Sequence, residues 1–258
     1  MSFISRIRSI DESDKSIAVE KLIAASTPDF DFFLLTTLSV LMATFGLLLD
    51  SATVIIGSML IAPLLYPILS LSVSVSMADY RLLRRSLSTL GKATVLTVGA
   101  SAIITLFFSY DYSIGSEILS RAEPSLVYFL VAVISGIAVS YTMVRPDLSE
   151  TLPGIAVAVA LLPPLATVGV GIAELQWTVV SGAIVLFLLN VVGIVGASIV
   201  MFSLMNLYSK RSVAERTVVR EEVRVVKEKE KAKEIDEWDK AVDGAIKADA
   251  VREEENGK

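Results

Sequence analysis

Ile56-Gly57-Ser58-Met59-Leu60-Ile61-Ala62-Pro63-Leu64-Leu65-Tyr66-Pro67-Ile68 is an apolar run that carries two prolines four residues apart. A proline inside a helix lacks the amide hydrogen for the carbonyl four residues back, and its ring pushes that carbonyl aside. The run therefore reads as a broken membrane helix. A second run, Ala158-Val159-Ala160-Leu161-Leu162-Pro163-Pro164-Leu165-Ala166, repeats the pattern about 100 residues later. Two halves of one membrane domain, each contributing a discontinuous span, are the expectation.

Composition agrees. Hydrophobic residues make up 53% of the 258 residues, and mean hydropathy is +0.66, too apolar for a soluble domain of this length. The chain has no cysteine and no histidine. That excludes disulfide frameworks, thiol catalysis, His-Cys zinc sites and His-dependent triads. Most of the charge behind the net −5 lies in the two tails, so it says little about partners. No enzyme, cofactor, metal site or nucleic-acid partner is expected. The expected partners are the lipid bilayer, further copies of the chain, and a cytoplasmic protein met by the C-terminal helix.

Residues 1–29 form the first segment. They contain Asp11, Glu12, Asp14 and Glu20 and no continuous apolar core, so the first span itself should act as an uncleaved targeting signal. Phe3, Ile4, Ile7 and Ile10, then Ile17, Val19, Leu22 and Ile23, fit short amphipathic helices at the membrane surface or a loosely ordered leader. Thr27-Pro28-Asp29 reads as a helix start with Thr27 as N-cap and Pro28 in the first turn.

Six spans follow within residues 30–206. They are expected at about 32–49, 53–77, 91–108, 126–144, 152–173 and 178–204, since roughly 20 apolar residues cross a hydrocarbon layer. Asp50-Ser51 marks a tight turn that caps the second span. Ser70, Ser72, Ser74 and Ser76 alternate as in a strand, but an isolated strand in lipid leaves its backbone unpaired, so a helix is expected. Ala132, Gly136 and Ser140 lie four apart and make a face that permits close helix approach. Lys92 near the start of the third span can snorkel to the head groups. Residues 207–258 are dominated by Glu, Lys, Arg, Asp and Ala and read as a water-exposed helix. Val219, Val223, Val226, Ile235, Trp238 and Val242 offer a broken coiled-coil seam.

Basic residues set the orientation. The N-tail, the second loop (Arg81, Arg84, Arg85), the fourth loop (Arg145) and the C-tail are rich in them, whereas the first and fifth loops have none. The positive-inside rule then places both tails in the cytoplasm of a bacterial or archaeal inner membrane. Three spans per half force the second copy upside down, so spans one to three (about 30–110) and four to six (125–206) are expected as an inverted repeat. The expected fold is an all-α polytopic membrane protein of six transmembrane helices in a 3+3 inverted repeat. Helices two and five are proline-broken, and a C-terminal cytoplasmic helix follows.

The candidate site follows from the breaks. Pro63 releases the carbonyl of Met59, Pro67 that of Pro63, Pro163 that of Val159 and Pro164 that of Ala160. Such acceptors either find partners in packed, kinked helices or line a wet cavity. The residues expected to form it are Gly57, Ser58, Met59, Pro63, Tyr66, Pro67, Val159, Ala160, Pro163, Pro164 and Thr167. Asn190 joins them or serves as interhelical glue. Thr36, Thr37, Thr44, Thr94, Thr97, Ser101 and Thr167 can equally bond their own helix backbone. Asp50, Asp79, Asp147, Glu150 and Glu174 sit at span ends, where capping or hydration is expected. No carboxylate pair or buried base lies inside a span, which speaks against membrane-embedded proteolysis.

The segment Gly57-Ser58-Met59-Leu60-Ile61-Ala62-Pro63-Leu64 with Pro67-Ile68, the turn Leu48-Leu49-Asp50-Ser51 and Leu162-Pro163-Pro164-Leu165 resemble a prokaryotic hydrophobic-protein family catalogued as domain of unknown function 389. The resemblance covers roughly residues 32–206 and implies a prokaryotic inner-membrane protein, with no established activity. Relatives often read Pro-Leu-Met-Gly-Pro where this chain has Pro63-Leu64-Leu65-Tyr66-Pro67. Many also carry a soluble N-terminal domain, which is not expected here. Two functions compete: a small transporter or channel-like protein with its site at the two breaks, and a structural or regulatory protein acting through the C-terminal helix.

Overall fold

The computed structural model describes residues 10–108, 114–145, 147–148 and 161–256, with side chains as far as residue 238. Among these residues every regular element is helical. The chain divides into two units, residues 1–217 and 218–258.

Helix α1 (Glu12–Ala25) precedes the apolar helices. Thr27 Oγ1 donates back to the Ile23 carbonyl at 2.9 Å and so helps to close α1. The N-cap of α2 (Phe30–Leu48) is therefore Asp29 rather than Thr27, its carboxylate accepting from the Phe32 amide at 2.9 Å. Helices α3 (Ala52–Ile61) and α4 (Leu65–Ser76) follow, then α5 (Tyr80–Phe108), the single turn α6 (Ser116–Ser120) and α7 (Leu126–Met143). After them come α8 (Leu162–Ala173), α9 (Trp177–Leu204), a 3₁₀ turn (Leu207–Lys210) and α10 (Arg211–Asn256).

α2, α5, α7 and α9 are long and apolar enough to cross a membrane; α3 with α4, bent by 52°, adds a fifth crossing if the pair is one span. These are the dimensions of a multi-span membrane protein. The expected fifth span lies partly in residues 149–160, outside the described residues. The serines of α4 take the helical option: Ser72 Oγ donates to the Ile68 carbonyl at 3.0 Å and Ser74 Oγ to the Leu71 carbonyl at 2.6 Å. The basic segment Arg81–Arg85, expected as a loop, is the first part of α5. Asp79 caps that helix by accepting from the Leu82 amide at 3.0 Å, which moves its start 11 residues before the expected Gly91.

α2, α4 and α8 end alike. Ser51 N bonds the Gly46 carbonyl (2.9 Å), Asp79 N that of Ser74 (2.9 Å) and Gln176 N that of Gly171 (2.8 Å). In each case the preceding residue, Asp50, Ala78 or Leu175, is left-handed, with φ of 48°, 50° and 56°. This is the Schellman cap built without glycine, a conformation costing on the order of 1 kcal/mol per residue. It reverses the chain in the shortest distance. Ser51, expected to cap α3 through its side chain, makes no such bond. Asp50 reaches across to α6, accepting from Glu117 N at 2.7 Å and Ser116 Oγ at 2.9 Å, and these bonds lower its pKa.

Near the other end, Lys15 is 2% exposed and pairs with Glu12 at 2.7 Å; Lys210 reaches the same carboxylate at 2.8 Å. The hydrogen bonds from Lys15, then Lys210, lower the Glu12 pKa from 4.5 to about 2. A depressed carboxyl contributes fully above its unfolded pKa and loses that contribution as pH falls through the folded one. The tie between α1 and the 3₁₀ turn is thus expected to hold above about pH 4.5 and to fail towards pH 2. Spin labels at Ile17 and Ser209 should report a broader distance distribution at about pH 3 than at neutral pH. Because Glu12 is exposed, raised salt at neutral pH should weaken the tie as well.

Candidate functional site

The expected small-residue face is a close seam. A Cβ on Gly136 of α7 would lie 2.9 Å from both the Cα and the carbonyl oxygen of Ile194 on α9, and one on Gly193 would lie 3.0 Å from Ala132 Cβ. Ser140 Oγ donates to the Gly136 carbonyl at 2.7 Å. α5 and α8 approach as closely: a Cβ on Gly169 would meet Ser101 Cβ and the Val98 carbonyl oxygen at 2.6 Å.

Around these seams the interior is built from hydroxyls. Ser39 Oγ donates to the Ser58 carbonyl, while Ser58 Oγ donates to that of Ile55 at 2.6 Å. Ser101 Oγ donates to the Ala166 carbonyl at 2.8 Å and lies 3.0 Å from the Thr44 hydroxyl, so α2, α5 and α8 share one polar contact. Ser70 and Ser86 hydroxyls lie 2.9 Å apart. Thr36, Thr37 and Thr44 bond their own helices, as their type suggests. Thr89, Thr97 and Thr167 are buried hydroxyls with no partner among the described residues. A hydroxyl buried dry and unbonded costs about 1–3 kcal/mol.

The proline segments meet. Met59, Ala62, Leu64 and Leu65 at the α3–α4 break and Leu161 and Leu162 at the start of α8 line one cleft of about 10 Å³, roughly the room one water needs. All six side chains are apolar, so only main-chain groups can supply polarity there.

The prolines themselves behave differently from one another. Pro63 lies in the break between α3 and α4. Pro67, expected to free the Pro63 carbonyl, falls in the first turn of α4, where no amide donor is required. That carbonyl instead accepts from Tyr66 N at 3.2 Å. Pro163 and Pro164 likewise occupy the first turn of α8 as it is described from Leu162. Val159 and Ala160 lie outside the described residues.

Of the remaining expected site residues, Met59 lines the cleft and Ser58 stands behind it with both polar groups engaged. Tyr66 is half-buried, neither fully exposed nor fully packed. A Cβ on Gly57 would meet only the tip of Met42. Thr167 is fully buried one turn into α8. Asn190 is buried in the stripe of α9 that carries Ala183, Gly193 and Ile194, and is not part of the cleft lining. Reasoning from the prolines missed Ala62, Leu64, Leu65, Leu161 and Leu162, which are their flanking residues. The available signal was position beside a break, since nothing in their chemistry marks them. Among the described residues no cluster of acidic side chains suited to a metal ion occurs.

Residues 59–196, which contain both proline segments and the α7–α9 seam, match the family model described as Domain of unknown function (DUF389). The chain belongs to this family. It is 34% identical over 174 residues to the uncharacterized protein MJ0678 of Methanocaldococcus jannaschii, covering 66% of this chain and 52% of that protein. The chain thus spans about half the length of the curated relative it matches. No solved structure matches it. Within DUF389 the matched region starts at Met59, the first lining residue of the cleft.

Proposed function

We propose that this DUF389 chain is a small secondary transporter or channel-like permeation protein for a small solute or ion, with its site at the junction of the two proline segments. The observation that carries the reading is their meeting: residues about 100 positions apart line one cleft at the α3–α4 break and the α8 start. Discontinuous helices joined at a common point are the device by which transporter folds expose backbone dipoles to a substrate. Unpartnered Thr167, close by in sequence on α8, is suited to a polar ligand or water. The cleft admits about one water, so passage of anything larger requires the two segments to move apart.

An inverted repeat of six spans, with both tails in the cytoplasm of a prokaryotic inner membrane, belongs to the same reading. Helix lengths support it: 19, 12 and 29 residues for α2, α4 and α5 against 18, 12 and 28 for α7, α8 and α9. So does packing, since α2 on α5 mirrors α7 on α9, α4 on α5 mirrors α8 on α9, and α4 on α9 mirrors α8 on α5. Ala78 and Leu175, the left-handed residues after α4 and α8, are counterparts too.

The chain contains no cysteine, so single-cysteine accessibility is clean. Thr167→Cys is expected to react with a water-soluble reagent in proteoliposomes, and Ala62→Trp, which overfills the cleft, to abolish flux of whichever inorganic ion, amino acid or organic acid the parent carries. Full protection of Thr167→Cys together with impermeability of the parent to the whole panel would sink the proposal.

A second reading rests on Val219, Val223, Val226, Ile235 and Trp238, which are exposed along an otherwise charged helix. They fit an oligomerisation or docking element. Deleting residues 212–258 separates the two: retained flux with a smaller assembly supports transport, and an intact membrane domain without phenotype supports docking.

A further inference from the structure

α2 and α5 run side by side in the same direction. Arg85 Nη2 donates to Thr27 Oγ1 at 2.7 Å at their starts, Thr44 and Ser101 hydroxyls lie 3.0 Å apart further along, and the Phe45 and Phe108 rings stack edge-on at 5.4 Å near their ends. Arg81, Arg85, Ser88, Lys92 and Leu96 are spaced by three or four residues and share one stripe of α5. Phe30, Phe33, Leu34 and Thr37 form the matching stripe of α2.

Between the stripes lies an open groove of about 510 Å³ lined by Phe30, Phe33, Leu34, Thr37, Lys92 and Leu96. Five of these six contribute aromatic, aliphatic or backbone-bonded surface; Thr37 spends its hydroxyl on the Phe33 carbonyl at 2.8 Å. Lys92 is the one cation. It is exposed and has no hydrogen bond or ion pair among the described residues.

Depth explains what this lysine can meet. Lys92 lies seven residues, about 10 Å along the helix, beyond Arg85. With Arg85 at the head groups, the Lys92 stem would lie in hydrocarbon and its ammonium would return to the phosphate layer. A groove with an acyl-chain lining and a single unpaired ammonium at phosphate height has the chemistry of a phospholipid site, not of a soluble solute.

We infer that the α2–α5 groove binds one anionic phospholipid, its phosphate held by Lys92 and one acyl chain lying along Phe33, Leu34 and Leu96. This rests on the membrane-spanning reading of α2 and α5 and is independent of transport.

Native mass spectrometry of the full chain, released from mixed phosphatidylglycerol and phosphatidylcholine nanodiscs, tests it. The parent should retain phosphatidylglycerol over phosphatidylcholine by about fivefold, the contribution of one basic residue near a membrane surface. Lys92→Gln should bring the ratio near one and Lys92→Arg should keep it. Leu96→Trp, which fills the groove, should lower retention of both lipids without changing their ratio. An unchanged ratio in Lys92→Gln, or undiminished retention in Leu96→Trp, would overturn the inference. Glycerol phosphate binding as tightly as the lipid would overturn the acyl-chain part, because the groove would then contribute nothing.

Discussion

Gly169→Val is expected to unfold the membrane domain or to lower its stability by about 3 kcal/mol or more, the upper end of the range for overpacking. The reason is what the new side chain meets. Its Cβ alone would lie 2.6 Å from the Val98 carbonyl oxygen and from Ser101 Cβ, and 2.9 Å from the Ala102 amide nitrogen. Two of those three are backbone atoms of α5 and cannot rotate away. α5 and α8 would have to separate, breaking the bond from Ser101 to the Ala166 carbonyl and opening the cluster of Val168, Val180, Ala183 and Val98. Thermal unfolding in detergent, followed by fluorescence-detected size exclusion, measures the effect. Gly99→Ala is the internal control: it lies on α5, the helix that Gly169 packs against, with nothing within 4 Å of its Cβ, and alanine in place of glycine should stabilise a helix by about 1 kcal/mol. Equal stability of Gly169→Val and the parent would show that the α5–α8 contact is far looser than described.

Gly136→Leu should act through the other seam. Leucine would press on Ile194 Cα and its carbonyl oxygen, 2.9 Å from the Cβ position, and on Ala197 Cβ at 3.0 Å. α7 packs chiefly on α9, so the expected result is detachment of one helix with α2 to α5 intact. A loss of about 2–3 kcal/mol is expected, with protease sensitivity confined to residues after Arg121. Global unfolding in a single transition would contradict that local character. Gly136→Ala is expected to cost less, since it brings only the Cβ against the Ile194 backbone and none of leucine's further atoms.

The helical class and four of the apolar spans were legible because lipid leaves the backbone few options. Alternating serines at 70, 72, 74 and 76 could be read as helix on that ground alone, and three of them are buried within α4. Ala132, Gly136 and Ser140 announced their seam by spacing. Caps were harder. Thr27 and Asp29 are both good N-cap types two residues apart, and the bonds from Thr27 back to Ile23 and from the Phe32 amide to Asp29 decide between them. Ser51 lost its expected role because Asp50, left-handed after α2, turned outwards to α6, a contact across 67 residues that no local pattern encodes.

At the candidate site one expected free carbonyl, that of Pro63, is instead bonded to the Tyr66 amide, while those of Val159 and Ala160 lie outside the described residues. A proline in the first turn of a helix and one in its middle look identical in sequence. The difference depends on where the chain resumes hydrogen bonding, which for Pro67 is at Leu65. The lining leucines have no distinguishing chemistry, and the groove beside Lys92 needs the register of two helices 58 residues apart.

The lengths of α5 and α9 carry a last consequence. At 29 and 28 residues they extend about 44 and 42 Å, well beyond the roughly 30 Å thickness of a hydrocarbon layer, whereas α4 and the described part of α8, at 12 residues, reach about 18 Å. Each long helix is packed against both short ones. Thinner or thicker surroundings act on a single long rod by changing its tilt, whereas α4 joins α3 across a 52° bend that can also flex. Acyl-chain length is therefore expected to act as a mechanical input, a shear between straight and bent spans that is delivered where α4 begins.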